Sequence, residues 1–381
     1  MKFDFETVLD RSNTGSLKWD LYKGRDILPM WVADMDFAAP PVVLKALHQR
    51  IDHGVFGYTT ASKALMETLI QRIYTLYHWS VDPDWIVWLP GLVTGLNLAC
   101  RSVGCPGDEV ILFTPIYPPF LSAPTLSARS IVRVPLSVGP KGHTMDPDRF
   151  KASLTDQTKL LLLCSPHNPV GRSYTPDELL QIARISIDNG LIVCSDEIHC
   201  DLILDSKPHV PTASLDKDIE VRSITLMSAS KTFNLPGLSC SFAIIPDPLL
   251  RSRFLAAKEG IVPYVNTLGY EATLAAYQAG EPWRMALLSR LRTNRDLLEG
   301  TIAALSGLSM RPVEATYLAW IDARPLGLDD PVRFFEQAGV GLSDGREFDG
   351  EGFVRLNFGC PMALLQKGLS RITRAIESLK R

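Results

Sequence analysis

The sequence predicts an α/β protein, and three patterns carry that expectation. Short apolar runs alternate with helix-period segments from about residue 50 to 280, most of those runs are apolar throughout, and the pattern changes after about residue 281. Unbroken apolar runs suit strands covered on both faces, and strand–helix alternation gives a mostly parallel sheet. At 381 residues the chain has room for two domains. The reading is a large domain over 46–281 and a smaller α+β domain built from 1–45 and 282–381.

In chain order, Pro40-Pro41 reads as a local turn that opens a helix. Ala64 to Tyr77 places Leu65, Leu69, Ile73 and Leu76 on one face, which predicts an amphipathic helix. Strands are predicted at Trp85–Leu89, Glu109–Thr114, Lys159–Cys164, Leu191–Ser195, Ser223–Ser228 and Ser241–Ile245. Between two of them, Thr175 is the expected N-cap of a helix with Pro176 at its first position. Beyond 281, Trp283–Leu305 reads as one long helix, Tyr317–Ile321 and Phe353–Phe358 as strands, and Met362–Leu379 as a closing amphipathic helix.

Composition excludes several classes. Hydrophobic residues at 46% and charged residues at 21% are ordinary for a globular protein, and 39 basic against 42 acidic side chains give a net charge of −3. No basic field favours nucleic acid or an anionic membrane, and no apolar stretch approaches the ~20 residues of a transmembrane helix. The start, Met1 to Glu6, carries acids and no long apolar stretch, so no signal peptide is expected. Seven cysteines at 100, 105, 164, 194, 200, 240 and 360 form no framework, and the expected compartment is the cytoplasm. Asp196-Glu197-Ile198-His199-Cys200-Asp201 lacks HExxH or paired CxxC spacing, so no metal is expected.

The chemistry centres on Lys231, in Ser228-Ala229-Ser230-Lys231-Thr232-Phe233-Asn234 after the apolar run Ile224–Met227. A lysine at the end of a buried strand is poorly solvated, and burial favours the neutral amine that attacks aldehydes. A lone lysine there reads more readily as a solvated strand end. Asp196, ending a second apolar run, reverses that: an amine with an acid for a pyridinium nitrogen is the pair that pyridoxal phosphate (PLP) needs. Pro90-Gly91-Leu92-Val93-Thr94-Gly95 turns from a strand into a helix start, where Gly91, Leu92 and Val93 offer backbone amides to a phosphate. Ser228 and Ser230 are candidate hydroxyl donors to the same phosphate. Asn168, in the stiff loop Ser165–Gly171, has an amide that can reach the cofactor's O3′, and Tyr117 can stack on its ring. Plain turn and core roles compete for these two. Arg355 interrupts an apolar strand and needs an anion, either a substrate carboxylate or an internal salt bridge.

These residues resemble fold-type I PLP enzymes, the aminotransferase class I/II superfamily, and within it the MalY/PatB-type cysteine-S-conjugate β-lyases. The resemblance runs almost end to end, through Leu28–Phe37, Gly54–Thr59, Pro166–Gly171, Ser195–His199, Ser230–Asn234, Glu314–Trp320, Gly341–Gly345 and Arg355–Cys360. It implies a mostly parallel seven-stranded sheet in the large domain, PLP as cofactor, and a homodimer with sites at the interface. It further implies Lys231 as the lysine that holds the cofactor, Asp196 at the pyridine nitrogen, Asn168 at O3′, Tyr117 stacked on the ring and Arg355 on the α-carboxylate. His199 falls where many relatives carry a tyrosine near O3′. Tyr58 is expected to reach the phosphate of the neighbouring subunit, so Lys231, Tyr58 and Tyr117 form the expected catalytic set. Trp31 and Asp34 are candidates for the substrate pocket. One departure stands out: many aminotransferases carry a phosphate-binding arginine eight residues after the lysine, and this chain has Ser239. The activity implied is α,β-elimination from L-cystathionine or a related L-cysteine S-conjugate, within sulfur amino-acid metabolism. An aminotransferase is the rival, and a non-catalytic regulator on the same fold the more distant one. Such regulators carry an added DNA-binding domain, whereas this chain starts directly with family sequence.

Overall fold

The computed structural model describes residues 3–139 and 142–379; Met1 and Lys2, at the head of the segment read for a leader, lie outside them. Its centre is a seven-stranded sheet. The strands are β1 (Ile86–Leu89), β2 (Glu109–Thr114), β3 (Ser130–Pro135), β4 (Thr158–Cys164), β5 (Ile192–Asp196), β6 (Ser223–Met227) and β7 (Ser241–Ile244). They lie in the order β1-β7-β6-β5-β4-β2-β3. Only β7 runs against its neighbours. The α/β fold class expected from the sequence is therefore the one observed.

Six of these strands fall within a residue or two of the apolar runs. The seventh, β3, was not read as one. It sits at the sheet edge, pairs only with β2 among the described residues, and leaves half of its side chains exposed, with Arg133 in its middle and Pro135 at its end. An edge strand needs no unbroken apolar run, and proline is tolerated there.

The helices are placed by local signals. Helix α1 (Lys63–Tyr77) starts where the Ser62 side chain accepts the Leu65 amide, and it buries Leu65, Leu69 and Ile73. Helix α2 (Leu92–Ser102) follows β1, with Gly91 at its N-cap and no side chain capping it. Helix α3 (Pro176–Asp188) has a complete capping box between Thr175 and Glu178. Gly95 lets α2 lie against the sheet, since a Cβ there would meet Leu226 of β6 at 2.8 Å. That contact sets the helix start close to the loop after β6.

The later part of the chain builds a four-stranded antiparallel sheet from β8 (Ser309–Met310), β9 (Leu318–Asp322), β10 (Ser343–Asp344) and β11 (Phe353–Asn357). The long helix α4 (Glu281–Ala303) and the last helix α5 (Met362–Ser378) pack beside it. Arg355 stands mid-strand in β11, opposite Trp320 of β9 and Ser343 of β10.

One irregular segment, Trp31 to Phe37, crosses between the two sheets. Asn234, three residues after Lys231, accepts the Met35 amide at 2.9 Å and donates to the carbonyls of Met35 and Phe37. Asn357, two residues after Arg355, donates to the carbonyls of Val32 and Asp34 at 2.6 and 2.7 Å. The segment is thus strapped to the lysine loop on one side and the arginine strand on the other. No helix among the described residues is long and apolar enough to cross a membrane.

Candidate active site

Because β1, β2, β4, β5 and β6 run in one direction, their C-terminal ends share one edge of the sheet. Asp196 closes β5, Gly91, Tyr117, Asn168 and Lys231 follow the ends of the other four strands, and all five residues line one cavity of about 240 Å³. Ligands gather at this edge in open α/β sheets, where loops converge and strand ends leave room.

Lys231 is partly accessible through the cavity, and its Nζ donates to the Ala33 carbonyl at 2.6 Å. The Tyr317 hydroxyl donates to the same oxygen at 3.0 Å. Burial lowers the Lys231 amine to about 8; Asp34 pulls the other way, and Arg355 reinforces the drop. Asp196 is buried and accepts the Ile198 amide at 3.1 Å. Burial raises its carboxyl to about 7, with the neighbouring Glu197 adding to that and Lys231 opposing it. An acid held so high has strong reason to take a cationic partner.

Arg355 is buried without a carboxylate partner among the described residues. Its Nη1 donates to Asn168 Oδ1 at 2.9 Å, and its Nη2 to the Trp31 carbonyl and Ser343 Oγ at 3.1 and 3.2 Å. Its buried Nε has no partner among the described residues. Burial lowers the group to about 10, which still leaves it charged at neutral pH. Of the two uses left open by the sequence, the internal salt bridge is absent among the described residues. The Arg355 bond also fixes the Asn168 amide, because the oxygen must face the guanidinium and the nitrogen must then face elsewhere.

The helix α2 start supplies the anion end. The amides of Leu92, Val93 and Thr94 precede the first intrahelical bond, which Gly95 makes to Gly91, and all three residues line the cavity. Ser230 adds a hydroxyl with no partner among the described residues. Ser228 lines the same end; its hydroxyl donates to the Cys240 carbonyl at 2.8 Å, and its oxygen accepts the Ser230 amide, which braces the lysine loop. Ser239, where an arginine stands in many aminotransferases, lines the same end with a left-handed backbone, φ 49°.

His199 lines the cavity beside Tyr317, ring centroids 6.0 Å apart, with its Nδ1 sealed and unpartnered among the described residues. Burial, with Lys231 and Arg355 nearby, lowers it to about 3, so it is a neutral ring. Trp31 contributes through its carbonyl, while its indole N–H is tied to the Lys18 carbonyl at 3.1 Å. Asp34 does not join Arg355. Its carboxylate pairs with Arg11 at 2.6 Å and lies 3.7 Å from Lys18, and it acts on Lys231 through its charge. Tyr58 is absent from this cavity and is wholly exposed, its ring 6.3 Å from that of Tyr264 on a separate surface hollow.

Several participants escaped the sequence reading. The Ala33 carbonyl is a backbone group that no side-chain pattern announces. Tyr317 lay in a quoted motif without a role, and Thr94 lay in the phosphate turn unremarked.

An amine poised against a carbonyl, a buried acid near neutrality, a free asparagine amide, an aromatic ring and an uncapped helix start match the groups of PLP one for one. The chain matches the aminotransferase class I and II family over residues 25–372 and belongs to that family. It is similar to the cystathionine beta-lyase PatB of Bacillus subtilis (strain 168), with 38% identity over 98% of this chain and 100% of that protein. Among solved structures it is similar to OvoB, at 47% identity and TM-score 0.97, covering 99% of this chain and 100% of that one. It is also similar to cystalysin from Treponema denticola, which contains pyridoxal 5′-phosphate, at 33% identity, TM-score 0.96 and full coverage of both chains. The fold is that of the PLP-dependent fold-type I proteins, and the protein is PLP-dependent.

Proposed function

We propose that the chain is a PLP-dependent carbon–sulfur β-lyase that cleaves L-cysteine S-conjugates, with L-cystathionine the leading substrate. The observation that carries this is the pairing, in one site, of an amine lowered to about 8 with a charged arginine that has no carboxylate partner among the described residues. The similarity to PatB directs that amino-acid chemistry toward C–S cleavage.

Lys231, Asp196, Asn168, Tyr117, Ser230 and the helix start at Leu92 would hold the cofactor. When bound, PLP withdraws electron density from the substrate's Cα. Arg355 fixes the α-carboxylate, and its bond to Asn168 ties that event to the cofactor's edge. Lys231, neutral in a substantial fraction at physiological pH, takes the Cα proton. The electron pair expels the thiolate from Cβ, and Lys231, now protonated, is placed to return that proton to sulfur. Water completes the balance: R–S–CH2–CH(NH3⁺)–COO⁻ plus H2O gives R–SH, pyruvate and ammonium.

We further read the protein as a cytoplasmic homodimer. Seven free cysteines, six of them buried, suit a reducing compartment. The exposed Phe56, Tyr58 and Tyr264 form an aromatic surface suited to a second copy. The division into 46–281 and 1–45 with 282–381 is supported by the parallel pairing of Leu28–Pro29 with Val340–Gly341.

The test is turnover of L-cystathionine by the PLP-loaded protein with no 2-oxo acid present. Pyruvate and free thiol in equal amounts are expected. Turnover that appears only when a 2-oxo acid is added would replace the lyase with an aminotransferase.

A further inference from the structure

The Arg355 guanidinium lies over an aromatic ring. Its central carbon sits 4.5 Å from the centroid of Phe348, a side chain 1% exposed. Every polar partner of the cation lies elsewhere: Asn168, the Trp31 carbonyl and Ser343 take Nη hydrogens, and all three are neutral acceptors. A carboxylate also binds a guanidinium at its edge, in the plane. The ring takes no hydrogen from the cation and so does not compete with that edge. A ring face carries negative potential and needs no hydrogens from the cation, so it holds the charge without consuming the donors that a ligand must use.

The ring is itself firmly placed. The Phe348 carbonyl accepts the Ile116 amide at 2.9 Å, which joins it to the loop that carries Tyr117. Its ring packs on Trp320 at 5.7 Å. The short helical turn Gly345–Phe348 has no slack: a Cβ on Gly345 would meet the carbonyls of Gly350 and Phe353 at 2.2 and 2.3 Å, and one on Gly350 would meet Trp320 at 2.4 Å.

We propose that Phe348 is a positioning residue for carboxylate recognition: its ring face orients the Arg355 guanidinium so that the remaining edge donors meet the substrate's carboxylate. This rests on the reading of Arg355 as the carboxylate holder, and it does not depend on which reaction follows.

The experiment uses two small amines that differ only in the carboxylate. Glycine and methylamine are titrated into the PLP-loaded protein, and binding is read from the absorbance of the cofactor. Neither has a Cβ, so no elimination intervenes. In Phe348→Leu, which keeps an apolar side chain but removes the ring face, glycine binding is expected to weaken by roughly 2- to 30-fold. Methylamine binding is expected to stay within about twofold, since it lacks the group that Phe348 serves. Should the leucine variant fail to fold, a fluorinated phenylalanine at 348 keeps the shape and weakens the ring face, and the same selective loss is expected. Equal weakening of both amines, or unchanged glycine binding in either variant, would overturn the proposal. Arg355→Met separates the two readings: if it leaves the preference for glycine over methylamine intact, the arginine reading itself fails.

Discussion

The two sides of the strap at Trp31–Phe37 handle buried charge in opposite ways. On the outer side, Lys18 is 1% exposed and meets Asp36 at 2.6 Å, while Arg11 holds Asp34 and Asp36, each at 2.6 Å. Cations and carboxylates there are matched two for two, and the Trp19 indole closes the last gap on Asp36. On the inner side, Lys231 and Arg355 lean on the carbonyls of Ala33 and Trp31, and no carboxylate pairs with either among the described residues. Paired burial makes structure; unpaired burial leaves a charge seeking a ligand. Lysine and arginine then part company. The ammonium sheds its proton when desolvated, whereas the guanidinium holds it. The same burial yields a base at one position and an anion site at the other.

The contrast can be broken most severely at the lysine. Lys231→Ala removes both the attachment point and the base, and turnover of L-cystathionine should fall by at least ~10³-fold. Near-normal turnover in that variant would remove the inner side's defining residue. Arg355→Met comes next: kcat/KM should fall by about 10²- to 10³-fold, with most of the loss in KM, because a buried ionic hydrogen-bonded contact is deleted. The outer side should respond in stability instead. Lys18→Met removes the partner of one Asp36 oxygen and leaves the other with Arg11 and the Trp19 indole, so chemical denaturation should show a loss of about 2 kcal/mol, while the cofactor's absorbance in the folded protein stays unchanged. The smallest effect is expected far from both. Thr175→Ala breaks the capping box of α3 and should cost about 1 kcal/mol with activity intact.

The inner side was largely legible in the sequence, and the outer side was not. Lys231, Asn168 and Tyr117 follow a strand and Asp196 closes one, and strand ends announce themselves as the close of an apolar run. A parallel sheet then gathers those ends without further information. The edge strand β3 carried no such run, because solvent covers much of it. Arg355 announced a need for an anion, but only the fold could show that no internal carboxylate meets it. Nothing local reveals that Arg11, 23 residues before Asp34, takes one of its oxygens. The turn of the Ser228 hydroxyl toward Cys240 and the ring of Phe348 beneath Arg355 are equally through-space facts. Sequence spacing holds what is local, and partners distant in sequence are where it ends.

Unpaired burial makes Lys231 a ready amine, and the pH dependence of cofactor capture by the apoprotein tests this most directly. Only the neutral amine attacks the PLP aldehyde, so the capture rate should rise with pH, bend near 8 and level off above. By the same shift, this group's contribution to apoprotein stability should grow as pH climbs from about 8 toward 10.5, where the unfolded chain binds the extra proton. Capture with its bend near 8, lost in Lys231→Ala, is the predicted result. A bend near 10.5, the ordinary lysine value, would mean that burial has not prepared this amine and would contradict the account.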